Sequence, residues 1–293
     1  MKARYLLLAL AGMLSQAYAG APCIVAPALD GKMPCKNEPK LCAKRLSGSL
    51  SAGYATNYTC RGLVASHSLV QGDSAEKFDL SLSYDIGRKG FFTIENNTGY
   101  TVLSSGHKLF GAPANFENEL TTATSVKYTR KYLNASIGHQ YTHGGLLGAI
   151  AKHAHGQAAS SVNELFVTIA ATPLKCLEIG VKTSYAFEGL HGWWFEPYIK
   201  NTFTLVGTCD APKLQSVLTL GLTATSNFFN SYDTNDNGVQ AIWIEAALPW
   251  HITKSLVLTP GVSFNWLGCG AVNNGGAYRN QGIVGSVSVS YSF

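Results

Sequence analysis

The chain has 293 residues, 13% of them charged and 11% aromatic, with a formal net charge of +5. The charged share is about half of that in a typical soluble domain, and the net charge is too small to indicate a nucleic-acid partner. Beyond the N-terminal segment, no stretch reaches the roughly 18 consecutive apolar residues of a membrane-spanning helix. The composition therefore argues against nucleic-acid binding and against helical membrane spans.

Residues 1–19 predict a secretory signal peptide. A basic start precedes an apolar segment at residues 6–14, and Ala-Tyr-Ala at 17–19 fits a small-x-small cleavage site. Residues 20–48 are rich in Pro, Cys and Lys and have no strand or helix period, so we expect an irregular periplasmic segment. The mature chain is thus expected outside the cytoplasm, where its seven cysteines favour disulfides over metal sites.

Apolar and polar residues alternate with a period of two throughout residues 49–293. In residues 77–87, for example, Phe78 and Leu80 lie on one face and Asp79 lies on the other. We count about twelve such segments, each close to the roughly 10 residues of a membrane β-strand. They lie near residues 50–58, 77–87, 91–98, 122–130, 132–141, 162–171, 177–187, 193–206, 214–224, 239–250, 255–266 and 282–293.

The connections between these segments alternate between long and short. The long ones span residues 59–76, 99–120, 142–161, 227–238 and 268–281, with 188–192 as one short exception at that end. The short ones span residues 87–90, 130–131, 172–175, 207–213 and 251–254. Long loops at one end and short turns at the other are typical of outer-membrane barrels. The predicted fold is therefore all-β, a transmembrane antiparallel up-and-down β-barrel of about twelve strands, with both termini on the periplasmic side.

The last predicted strand runs to the C terminus. Small polar residues alternate there with Val287, Val289, Tyr291 and Phe293, which we expect to face lipid. A strand that ends flush is natural in a closed barrel, because the last strand pairs with the first. This ending resembles the C-terminal signature of bacterial outer-membrane barrel proteins. The resemblance implies that the barrel-assembly machinery reads these four residues during biogenesis.

A short motif follows the first predicted strand. An aromatic residue, Tyr58, precedes Arg61 and Gly62, and a long loop leads on to the second strand. This stretch resembles the first strand and loop of the TorF-type family of Gram-negative outer-membrane porins, although Cys60 stands where that family has an aromatic residue. The resemblance implies a porin barrel.

The inward face of the predicted barrel carries charged residues of both signs. They are Asp79, Asp85, Glu95, Lys127, Glu178, Lys182, Glu196, Lys200 and Glu245. Such charges must sit in water or pair with one another. Two interpretations stay open: a hydrated channel narrowed by mixed charges, or an interior filled by ion pairs. Twelve strands lie between the roughly eight that fill their interior and the 16–18 that leave an open channel, and the near balance of signs argues against strong ion selectivity.

Other candidate sites have little support. Residues 233–238 match the first half of a calcium loop, but Ile244 stands at the twelfth position, where a Glu is required. One predicted loop is rich in histidine, with no standard zinc spacing: His139, His143, His153 and His155. The chain has no G-x-S-x-G motif and no phosphate-binding glycine motif. We therefore predict no metal, no cofactor and no catalytic residue.

Two disulfides are compatible with the predicted topology. Cys60 in the first long loop and Cys269 in the last would be neighbours once the barrel closes, and Cys176 and Cys209 lie in consecutive short turns. Neither pairing can be deduced from the sequence. The odd cysteine count leaves at least one thiol unpaired or bonded to another chain.

The function predicted from these features is a porin-like channel for passive diffusion of small hydrophilic solutes. Loops 99–120 and 142–161 would narrow its mouth. The expected partners are outer-membrane lipid, the barrel-assembly machinery and the solutes, and we expect neither a nucleic-acid partner nor an enzymatic activity. Two alternatives stay open: a non-conducting surface barrel whose loops bind a partner, and an outer-membrane hydrolase. Oligomeric state and solute selectivity are left undetermined.

Overall fold

The computed structural model describes most of the region predicted to form strands. The described residues are 46–57, 59–60, 63–64, 74–86, 91–103, 108–109, 112–113, 118–145, 147–148, 151, 160–174, 176–208, 211–228, 237–267 and 281–293. The chain divides into a unit of Arg45–Ser292 and a second unit of residues 1–44 with Phe293. The predicted signal peptide and nearly all of the predicted periplasmic segment lie outside the described residues, so both stay predictions.

Twelve long strands make up almost all of the described part of the chain. They are β1 (Leu46–Ala55), β2 (Ala75–Ile86), β3 (Phe92–Leu103), β4 (Glu119–Arg130), β5 (Leu133–His143), β6 (Ser161–Leu174), β7 (Leu177–Glu188), β8 (Gly192–Gly207), β9 (Pro212–Ser226), β10 (Gly238–Ala247), β11 (Leu256–Leu267) and β12 (Gln281–Ser292). A two-residue strand, Trp250–His251, continues β10 between β9 and β11. Among the described residues, no helix has the length and apolar character needed to cross a membrane.

Each strand pairs with the strand before it and the strand after it, always antiparallel. The last strand, β12, pairs with β1, so that Ser49 lies opposite Ser292 and Tyr54 lies opposite Val287. All twelve strands therefore have a partner on both sides in the part of the chain that the structure describes. The sheet is closed into a barrel.

The large apolar side chains point away from the barrel axis. Ile137 is 63% exposed, Trp266 60% and Leu165 55%, whereas soluble proteins bury most residues of these types. The alternate residues of the same strands point inward and are mostly small or polar. This arrangement is that of a transmembrane β-barrel. The predicted fold class, an all-β up-and-down barrel of about twelve strands, is confirmed.

Strand ends differ from the sequence prediction by a few residues. The predicted loop 99–120 is shorter, because β3 continues to Leu103 and β4 begins at Glu119. The alternation persists there, since Tyr100 is 42% exposed on the outer face while Thr101 is 5% exposed on the inner face. At the opposite end of the barrel, β4 and β5 are joined by two residues.

Gly189, between β7 and β8, lies where the backbone conformation and the lack of space both favour glycine. Its φ is +82°, and an added Cβ would meet the carbonyl oxygen of Ser161. Replacing Gly189 by Ala should lower the free energy of unfolding by about 1–3 kcal/mol, because both the conformation and the lack of space disfavour a side chain. Urea unfolding of the barrel in detergent micelles measures this difference. Gly285→Ala is the control, since its Cβ would approach Thr56 no closer than 3.6 Å; equal losses in both variants would contradict the explanation.

Candidate functional site

The nine charged residues predicted to face the interior all lie on the inward face of their strands. Each alternates with outward residues, as Asp79 does between Phe78 and Leu80. Two cavities in the barrel interior include five of them in their linings: Asp79, Glu95, Lys127, Glu178 and Glu245. That these charges line a path for solutes stays a prediction.

The smaller cavity has a volume of about 200 Å³ and lies against the wall formed by β3–β8. An ion pair borders it, with Lys127 Nζ 3.0 Å from Glu95 Oε1. The Tyr198 hydroxyl donates a hydrogen bond to Glu178 Oε1 at 3.0 Å on the same wall. Both carboxylates are therefore partly satisfied within the wall.

Two further pairs of opposite charge face each other across β7 and β8. Lys182 lies opposite Glu196, and Glu178 lies opposite Lys200. Opposite charges at directly paired positions stabilise a sheet. Lys182 Nζ also donates to Gln140 Oε1 at 3.3 Å. The charges on this wall thus occur in pairs of opposite sign.

The larger cavity, of about 320 Å³, lies along the wall formed by β1, β11 and β12 and extends to β2 and β10. This wall carries small side chains, and their hydroxyl groups face the interior. The lining includes Ser51, Gly53, Ala55, Lys77, Asp79, Glu245, Ser263, Ser286 and Ser288. The larger of these two cavities therefore lies beside the small side chains.

Three large aromatic side chains of the inner face each lie against a glycine of the preceding strand. An added Cβ at each glycine would overlap the ring, and register places each glycine directly opposite its aromatic partner. The pairs are Phe166 with Gly138, Tyr198 with Gly180, and Trp243 with Gly221. Because each ring occupies the space that a side chain would fill, the rings cover the wall rather than project across the interior.

Apolar side chains cluster beside β5–β9 at the end of the barrel that carries the long loops, which is the end predicted to be extracellular. Leu147, Ala151, Leu190, Trp194 and Phe228 are each at most 1% exposed, and the rings of Trp194 and Phe228 meet edge to face at 4.8 Å. Two of these residues belong to the predicted loop 142–161. The other loop expected to narrow the mouth is described between its strands only near the short hairpin of Lys108–Leu109 and Ala112–Pro113.

The structure describes only some of the remaining predicted site residues. Tyr58, Arg61 and Gly62 lie outside the described residues. In the predicted assembly signal, Val287 and Phe293 are 41% and 44% exposed. Val289 and Tyr291 share the outward face of β12 and are half-buried. The role of these four residues in assembly stays a prediction.

The disulfide that the topology allowed between Cys176 and Cys209 is not formed, because Cys176 is a free thiol. Its carbonyl accepts a hydrogen bond from Thr202 of β8, and β8 continues to Gly207. Cys209 and Cys269 lie outside the described residues, and the side chain of Cys60 is not described either.

The sequence analysis missed some inward charged residues, among them Lys77 and Glu164. Lys77 lines the larger cavity; it is the first residue of the predicted strand 77–87 and shares the inward face with Asp79. Glu164 is 0% exposed and accepts a hydrogen bond from Ser184 at 2.8 Å. Its inward position between Asn163 and Leu165 follows from the same period of two and could have been found. Among the described residues, no group of three or more His, Cys, Asp or Glu side chains is placed to hold a metal ion.

Comparisons with known proteins find similarity in structure alone. No protein-family model matches the chain, and no curated protein matches it in sequence. An outer membrane channel from Pseudomonas putida F1 has a TM-score of 0.51 and 9% identity, covering 85% of this chain and 95% of that one. A KdgM porin (TM-score 0.47, 11% identity, 84% and 99% coverage) and a NanC porin (0.46, 13%, 83% and 98%) are also similar. At these identities the likeness is one of barrel fold, and the TorF-type resemblance stays a prediction.

The Glu95–Lys127 pair can be tested by a double-mutant cycle. Its side chains are 24% and 38% exposed, so the coupling energy should be at most about 1 kcal/mol. We expect the losses of unfolding free energy in Glu95→Gln and in Lys127→Met, added together, to exceed the loss in the variant that carries both substitutions. Urea unfolding of the four proteins measures the coupling. Full additivity would mean that the 3.0 Å contact contributes nothing to stability.

Proposed function

We propose that this protein is an outer-membrane channel for passive diffusion of small hydrophilic solutes. The observation that carries the proposal is the polar cavity of about 320 Å³ that runs along the small side chains of β1, β11 and β12. A wall of serine hydroxyls can exchange hydrogen bonds with water and with a passing solute. Similar barrels that bear the names porin and channel are in keeping with this function.

The proposed mechanism depends on the asymmetry of the interior. Apolar side chains cluster at the extracellular end beside β5–β9, so the solute path follows the opposite wall. Asp79 and Glu245 on that wall contribute fixed negative charge, while Lys77 contributes one positive charge. Selectivity then arises from width and from these charges, as in other water-filled pores.

A non-conducting surface barrel is the second candidate function. The observation that favours it is the apolar cluster at the extracellular end, which includes Trp194 and Phe228. If this cluster and the loops close the barrel completely, the barrel only anchors the loops that bind a partner. Conductance of the refolded chain in a planar bilayer decides between the two candidates, because a plugged barrel passes no current.

One contact bears on the hydrolase alternative. Ser160 Oγ lies 3.3 Å from His143 Nδ1 at the extracellular end of β5 and β6. This separation is close to that between a nucleophilic serine and its general base. Ester hydrolysis by the purified barrel that is lost in Ser160→Ala would favour this alternative over the channel.

Position 51 gives a direct test of the solute path. Ser51 lines the larger cavity, whereas Ala52 on the same strand points outward. Ser51→Trp should reduce single-channel conductance by roughly twofold or more, because pore width controls ion flow. Ala52→Trp, its matched control, should conduct like the wild type. Equal conductance in the two variants would place the path elsewhere.

The charges of the larger cavity predict a modest preference for cations. Asp79 and Glu245 outnumber Lys77 in its lining. In a KCl gradient, Glu245→Gln should therefore lower the K⁺/Cl⁻ permeability ratio, and Lys77→Gln should raise it. Reversal potentials in planar bilayers measure both changes. A shift in the same direction for both variants would contradict this assignment.

A further inference from the structure

Polar side chains occupy the middle of the outer surface on two neighbouring strands. Asn96 and Thr98 of β3 lie directly opposite Thr124 and Thr122 of β4. All four share the outward face with exposed apolar residues of the same strands. We call these four residues the outer polar patch.

Apolar residues flank the outer polar patch along both strands. Ile94 and Val126 lie on the periplasmic side and are 41% and 44% exposed. Tyr100 and Leu120 lie on the extracellular side and are 42% and 36% exposed. The patch therefore lies within the apolar band of the barrel, where lipid offers no hydrogen-bond partner.

The outer polar patch satisfies only part of its hydrogen-bonding capacity internally. Asn96 Nδ2 donates to Thr124 Oγ1 at 2.9 Å, and Asn96 Oδ1 accepts from Thr98 Oγ1 at 3.3 Å. The hydroxyl oxygens of Thr98 and Thr122 are 3.5 Å apart. Among the described contacts, one amide N–H of Asn96 and the hydroxyl hydrogen of Thr124 have no acceptor. The patch thus presents donors and acceptors outward while carrying no charge.

The polar character continues from the patch across the next strands. Thr124 lies opposite His139 of β5, and His139 Nε2 is 2.9 Å from Asn163 Oδ1 of β6. Asn163 Nδ2 in turn donates to Glu188 Oε2 at 2.9 Å. This polar row reaches the extracellular ends of β6 and β7, where water or lipid headgroups can complete its hydrogen bonds.

The opposite side of the barrel has no such row among its described residues. Leu220, Ile244, Phe264 and Ile283 lie opposite one another across β9–β12 and point outward. They are 46%, 43%, 40% and 53% exposed. The middle of the outer surface is therefore apolar along this row of β9–β12, in contrast to the outer polar patch on β3 and β4.

We propose that the outer polar patch is the contact surface for a second copy of this chain, related to the first by a two-fold axis normal to the membrane. Insertion in one orientation holds both copies at the same depth, so the patch of one barrel meets the same patch of the other. Each patch offers both donors and acceptors and no charge, which makes it self-complementary, as a two-fold contact requires. Hydrogen bonds across the contact complete those that lipid cannot provide. This inference needs a membrane barrel but does not depend on transport.

The test compares the oligomeric state of the mature chain and two double variants in lipid nanodiscs, by native mass spectrometry and chemical cross-linking. In Asn96→Leu/Thr124→Val the patch becomes apolar. In Asn97→Leu/Thr121→Val the same types of substitution fall next to Asn96 and Thr122, on the inward face of the same strands. Heat-modifiable migration on gels reports folding of each protein independently. Replacing outward polar residues by apolar ones should not impair that folding, since the new side chains suit lipid.

We expect the wild type and the inward control to be dimers and the patch variant to be a folded monomer. A wild type that is monomeric in nanodiscs would overturn the proposal. So would a patch variant that remains dimeric, because the contact would then lie elsewhere. A trimer would contradict the two-fold arrangement.

Discussion

The structure depends on one constraint, the pairing of every strand with two neighbours. Hydrocarbon supplies no partner for a backbone N–H or C=O group, so a sheet that crosses a membrane has to close. The pairing of β1 with β12, from Ser49 opposite Ser292 to Ala55 opposite Ser286, provides that closure. Once the register is fixed, each side chain faces either lipid or the interior, and a shift of one residue would exchange the two faces.

The side chains of the barrel differ from one side to the other, both on the inner face and on the outer face. Inside, β1, β11 and β12 carry serine and glycine, whereas the wall around β7 and β8 carries opposed charges such as Lys182 and Glu196. Outside, the β9–β12 surface is uniformly suited to lipid, but β3 and β4 carry Asn96 and Thr124 at mid-height. The wall of β1, β11 and β12 and the outer polar patch thus occupy different parts of the circumference, so a neighbouring barrel on β3 and β4 would not rest against that wall.

The fold could be predicted from the sequence because one signal, the period of two, determines both the strands and their faces. That signal places Glu95 and Lys127 on one face but not beside each other, since their 3.0 Å contact depends on which strands pair and in which register. The contact of Trp243 with Gly221 could not be predicted for the same reason, since it also depends on strand pairing and register. The state of Cys176 could not be predicted either: its place in a short turn allowed a disulfide with Cys209, and only the structure shows a free thiol.

Because aromatic rings lie over glycines on the inner wall, the free width of the interior does not depend on the size of the barrel alone. Strand number and tilt set the circumference of the backbone, yet the free cross-section depends on whether a ring such as Tyr198 rests on Gly180 or is pushed away from it. A single glycine substitution can therefore change what fits through the barrel while every backbone hydrogen bond stays in place. In the proposed channel, a barrel of fixed architecture would thus be tuned for solutes of different size by changes at single positions of the wall.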